Sequence, residues 1–119
     1  MSGIVGTSNS RSRIVGRSAV GNSSQTWQTF TSSSTPSRAV QTNYTNSTGS
    51  PIFIMISMLA IVGGATVNWL LIDGVERVHV QDTDYRPLAV VSAIIPAGST
   101  YQWKYQSVAP TIRNWSELR

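Results

Sequence analysis

No charged residue interrupts the stretch from Ile52 to Ile72, IFIMISMLAIVGGATVNWLLI, and how it folds limits everything else the chain can be. At roughly 20 apolar residues it has the length of a bilayer-spanning helix. Its internal order argues for something else. The run opens after Pro51, is rich in β-branched residues, breaks at Gly63 and Gly64, and carries Thr66 and Asn68 in its second half. β-Branched side chains pack well on a pleated surface, and paired glycines mark a bend. Two buried strands are expected. Ile52, Ile54, Ile56 and Met58 share one face of the first, and Val67, Trp69 and Leu71 alternate with Thr66 and Asn68 in the second. The Lys/Arg cluster that orients a membrane helix is missing, since the nearest charges are Arg38 upstream and Asp73 and Glu76 downstream. The reading this displaces is a small membrane protein with a helix over 52–72.

A chain of 119 residues fits one small domain. It has no cysteine, which excludes disulfides, thiolate catalysis and cysteine-based zinc sites, so the fold rests on apolar burial or on association. Charged residues make up 12% of the chain, against about 25% in an ordinary soluble domain. Burial shared among subunits accounts for that deficit. The +4 formal charge is uneven. Arg11, Arg13, Arg17 and Arg38 are the only charges before Pro51, and beyond it basic and acidic residues balance.

Residues 1–25, rich in Gly, Ser and Arg, have too little apolar surface to order themselves and read as an extended arm. Two apolar pairs, Ile4-Val5 and Ile14-Val15, sit among Arg11, Arg13 and Arg17. Such pairs suit extended pieces laid on a neighbouring sheet edge, with the arginines reaching carboxylates or carbonyls. Three arginines are a thin footprint for nucleic acid, so a protein surface is the expected partner. No apolar run follows a basic start, as a secretory signal requires.

Residues 26–119 read as the folded domain. TSSSTPS at Thr31–Ser37 is a linker or long loop, residues 40–45 alternate as a strand, and NSTGSP at Asn46–Pro51 is turn chemistry. Asp73-Gly74 predicts a tight hairpin. LAVVSAII at Leu88–Ile95 is apolar on both faces, which predicts a central strand or one held between the core and a neighbouring subunit. Tyr101, Trp103 and Tyr105 alternate with Gln102, Lys104 and Gln106. This aromatic row is read as core, with sugar stacking as its alternative. Ile112, Trp115 and Leu118 close the sheet. About seven short strands with turns at regular intervals predict an all-β fold, a small β-sandwich or jelly roll preceded by the arm. Its core and subunit interface are expected from Ile52, Ile54, Ile56, Trp69, Leu71, Val91, Ile95, Tyr101, Trp103 and Trp115.

Catalytic material is thin. His79 is the single histidine and shares a strand face with Arg77 and Gln81, which reads as a solvated side chain. Asp82 and Asp84 lack the glycine and distal glutamate of a calcium loop. The expectation is no enzyme, no metal and no cofactor.

Several segments together resemble a known family: Trp27-Gln28, Arg38, Tyr44 to Gly49 with Pro51-Ile52, Asp73-Gly74-Val75, Ile95-Pro96 with Gly98 and Tyr101, and Trp115 with Glu117-Leu118. They are similar to the small β-domain at the C-terminal end of tailed-bacteriophage fibre proteins. The opening MSGIVGTSNSRSR resembles the start of phage fibre and virion-attachment proteins. The resemblance implies a trimeric, jelly-roll-like domain on a virion, docked to capsid or tail proteins through Ile4, Val5, Arg11, Arg13, Ile14, Val15 and Arg17. Relatives often carry a long shaft between arm and domain, and none intervenes here, so a short fibre or capsid-decoration protein is expected. The alternative is a fibre tip that binds a receptor or a host surface glycan.

Overall fold

The computed structural model describes residues 20–30, 37–58, 66–82 and 90–119. The expected docking residues of the arm, the Gly63-Gly64 bend, most of the Thr31–Ser37 linker and Asp84 lie outside them.

The described residues form eight strands: β1 (Trp27–Thr29), β2 (Tyr44–Thr45), β3 (Ile52–Met58), β4 (Thr66–Ile72), β5 (Val75–Asp82), β6 (Val90–Ile95), β7 (Thr100–Gln106) and β8 (Ile112–Leu118). They make two four-stranded sheets, β1-β8-β3-β6 and β2-β7-β4-β5, with every neighbouring pair antiparallel. The pairs β1·β8, β2·β7, β3·β6 and β4·β5 are those of one long hairpin closed between β4 and β5 and rolled until it lies in two sheets. That is the jelly-roll arrangement of a β-sandwich. The long uncharged tract is therefore strand at both ends, and no helix among the described residues is long and apolar enough to cross a membrane.

The hairpin closes where Asp73-Gly74 predicts it. Both residues have positive φ, 52° and 75°, the signature of the two-residue turn whose twist matches the strands it joins. Between the sheets, Ile52, Ile54, Ile56, Ile95 and Trp115 of one pack against Leu70, Tyr101 and Trp103 of the other, all fully buried. Alternation explains the first set, because residues two apart on a strand share a face.

Two strands depart from expectation. In β4 the buried positions are Asn68 and Leu70, while Trp69 and Leu71 stand half-buried on the opposite face. Pairing with β7 is the reason. Leu70 lies opposite Trp103 and Ile72 opposite Tyr101, so the aromatic row draws the even-numbered residues of β4 inward. β6 is not central: among the described residues it pairs with β3 alone and ends its sheet. Its apolar character on both faces reports Val91 and Ile95 in the core and Val90 and Ile94 on the outside, and says nothing of its neighbours along the sheet. Two smaller differences follow from pairing as well. The strand expected over 40–45 is reduced to Tyr44–Thr45, and residues 20–25, read as arm, turn against the domain where the Gln25 side-chain amide donates to the Pro51 carbonyl at 2.8 Å.

Candidate functional site

Glu117 is the focus of the polar chemistry. Alternation along β8 places it on the inward face with Trp115, and it is fully buried. A lone carboxylate there is prohibitive unless its charge is paired and its lone pairs are used. Both conditions hold. Oε1 accepts from Arg38 Nε at 3.0 Å, Tyr101 OH at 2.8 Å and Trp115 Nε1 at 3.2 Å; Oε2 accepts from Arg119 Nη1 at 2.9 Å and Arg38 Nη2 at 3.4 Å. Tyr101 stands on β7 and Glu117 on β8, so the carboxylate ties one sheet to the other.

Arg38 is held on its flat faces as well as its edge. Its guanidinium carbon lies 4.2 Å from the centre of the Phe30 ring and 4.5 Å from that of Tyr44. Tyr44 in turn packs on Tyr101 and edge-on against Trp115, and its hydroxyl accepts from the Ala39 backbone N–H at 2.7 Å. Burial alone would lower the arginine's pKa, but the hydrogen bond and charge of Glu117 outweigh it and hold the value above the ordinary one. Burial first, and then the Glu117 charge, push the Tyr101 hydroxyl far up, so it stays protonated as a donor.

Two smaller ties hold the loops at one end. Asn46, fully buried, donates from Nδ2 to the carbonyls of Ser50, Ile95 and Pro96, and its Oδ1 accepts from the Thr48 hydroxyl at 2.7 Å. Asp73 accepts from the Thr100 backbone N–H at 2.9 Å and the Ser99 hydroxyl at 2.8 Å, and these donors hold its pKa below the usual value. Arg38, Tyr44, Asn46, Asp73, Tyr101, Trp115 and Glu117 thus serve as structural ties.

Every acceptor direction of Glu117 is occupied by a donor, which leaves no lone pair for a proton in transit. His79 is exposed, with Nδ1 3.0 Å from Glu76 Oε1 and its ring edge-on to Trp69. Among the described residues no three His, Asp or Glu side chains converge as metal ligands would.

The outer faces of the two sheets differ sharply. Antiparallel partners share a face, so on β1-β8-β3-β6 one outer row runs Trp27, Leu118, Phe53, Ile94 and the next Thr29, Ser116, Met55, Ser92. Asn114, Ser57 and Val90 make the third. No residue of the three rows is charged. Trp27 is 53% exposed, Val90 61% and Ile94 56%, and a hollow of about 370 Å³ opens between Trp27, Met55 and Val90 over Ser57, Asn114 and Ser116. On the other sheet Trp69 lies opposite His79 and Lys104, and Leu71 opposite Glu76 and Gln102, so charge and apolar surface are mixed.

Of the residues expected in the core or the subunit interface, Ile52, Ile54, Ile56, Val91, Ile95, Tyr101, Trp103 and Trp115 lie in the interior, and Trp69 and Leu71 face outward. Tyr101 and Trp103 are fully buried, which removes them from any sugar-stacking role. The Glu117 centre was missed from sequence, although two signals pointed to it. Glu117 follows Trp115 at the spacing of one strand face, and Arg38 is the only charge between Arg17 and Asp73. Compared with protein-family models, curated proteins and solved structures, the chain shows no significant match to any of them.

Proposed function

We propose that this chain is a non-enzymatic structural protein of a bacteriophage virion, a short fibre or capsid-decoration protein. Its N-terminal arm docks on the particle and residues from about 26 onward form a trimeric β-domain. One observation carries the reading. The segments that resemble fibre domains supply the ties of the jelly roll, from Arg38 and Glu117 to Asn46 and Asp73, and the chemistry-bearing groups among them are consumed in holding the sheets. A domain built this way spends its polar side chains on rigidity, which suits a mechanical or adhesive part.

Particles of the encoding phage, labelled with an antibody to residues 90–119 and imaged in negative stain, test the proposal. Label at regular positions on head, neck or tail is expected; bare particles overturn it. Replacing Arg11, Arg13 and Arg17 with serine is expected to abolish attachment and leave the oligomer intact.

A second reading, a glycan- or receptor-binding fibre tip, is favoured by Trp69. Its indole sits half-buried on an open sheet face between His79 and Lys104, with Gln81, Gln102 and Gln106 on the flanking strands. An aromatic surface ringed by amide and cationic donors is the usual composition of a small-ligand site. Glycan-array binding that Trp69→Ala abolishes in a folded protein would support it.

A further inference from the structure

The two outer faces invite different neighbours, and the contrast extends to the edges of the sheets. A strand at an edge presents unpaired backbone groups, which proteins guard with short length, charge or bulges. β1 and β2 are three and two residues long. β5 carries Glu76, Arg77 and His79, and a register shift breaks its ladder with β4. β6, VVSAII, has none of these devices: it is six residues long and uncharged, and its pairing with β3 is continuous from Val90 to Ile95. It borders the outer face whose three paired rows carry no charge; the one charged side chain of β8 near them, Arg113, is exposed at the β-bulge beside Asn114, at one end of the face. Of the five large apolar residues exposed among the described residues, four, Trp27, Met55, Val90 and Ile94, lie on that face. Surface of this kind on a water-exposed domain marks an interface.

The occupant follows from the charge pattern. Where identical chains meet about a symmetry axis, each residue near the axis faces its own copy, so any charge there would face a like charge at a cost of several kcal/mol. A heterologous partner imposes no such rule, because an acidic patch can meet a basic one. Three paired rows of outward residues without charge, with Arg113 kept to the bulge at one end, suit self-association on a chain of net charge +4. The hollow beside Met55 and Val90 gives the flat face a place to receive a protruding side chain of the neighbour.

We propose that the outer face of β1-β8-β3-β6, with the edge of β6 that no other described strand pairs with, is the surface through which copies of this chain pack together about their shared symmetry axis. This rests on the oligomer in the proposed function and names the surface that builds it.

Sedimentation velocity on the full 119-residue chain, over a range of concentrations, tests it. Wild type is expected to sediment as an oligomer. Ile94→Glu puts a charge at an exposed position of the face and is expected to weaken association at least about a hundredfold, leaving folded chains of 12.9 kDa. Ser92→Arg, also at an exposed position, repeats the test should Ile94→Glu fail to fold, with near-ultraviolet circular dichroism reporting the fold. Lys104→Glu, on the opposite sheet, is expected to leave the oligomer unchanged. An oligomer that survives both β6 variants overturns the assignment of this face while the oligomer itself stands. Dissociation by Lys104→Glu instead assigns the contact to the other sheet and overturns it too. A wild-type monomer removes the oligomer from the proposed function and this inference with it.

Discussion

Arg38 and Glu117, 79 residues apart in sequence, meet with Nε and Oε1 3.0 Å apart, the carboxylate fully buried and the guanidinium pressed between Phe30 and Tyr44. Removing one partner of such a pair leaves the other charge without compensation, at about 3–5 kcal/mol. Glu117→Gln strands both Arg38 and Arg119, so it is expected to cost that much. Arg38→Met is expected to cost less, because Arg119 still answers the carboxylate at 2.9 Å. Urea unfolding followed by tryptophan fluorescence, at one fixed protein concentration, gives the order; equal losses would contradict it.

The two buried tryptophans offer a matched comparison. Trp115 Nε1 donates to Glu117, whereas Trp103 Nε1 is buried with no partner among the described residues. Replacement by phenylalanine removes a similar volume at each site but a charge-assisted hydrogen bond only at residue 115, a difference of roughly 1.5–3 kcal/mol. Trp115→Phe is therefore expected to destabilise more than Trp103→Phe in the same denaturant series.

Asp73 links stability to acid. Its native pKa lies below the ordinary 3.8, chiefly through the Thr100 backbone N–H and then the Ser99 hydroxyl. A carboxylate with a lowered native pKa stabilises the fold fully above its unfolded pKa, and that contribution is lost as the pH falls through the native value. Thermal melts between about pH 2 and pH 6 are expected to lose part of their acid slope below about pH 4 in Asp73→Asn, which keeps a side chain tolerant of the turn. An unchanged slope would show that the two donors contribute nothing.

Gly74 sits at φ 75° with open space where a Cβ would point. The only penalty for Gly74→Ala is backbone strain, about 1–2 kcal/mol for a left-handed alanine. The same method reads it. A loss near zero would mean that the hairpin relaxes to another turn.

Much of this fold is legible in the residues alone. Alternation along β3 and β7 assigns their buried faces, and Asp73-Gly74 marks the hairpin on which the roll turns, because strand periodicity and turn geometry act over a few neighbouring residues. The absence of cysteine and the scarcity of charge likewise follow directly from composition. The tertiary structure decided the rest. Which face of β4 turns inward depended on its register against the aromatic row of β7, since apolar residues stand on both sides of the strand. That β6 lies at an edge, and that Arg38 and Glu117 close on one another, came from strand pairings between segments far apart in the chain. Pairing of that kind is chosen by the packing of the whole sandwich, and no local pattern in either segment contains it.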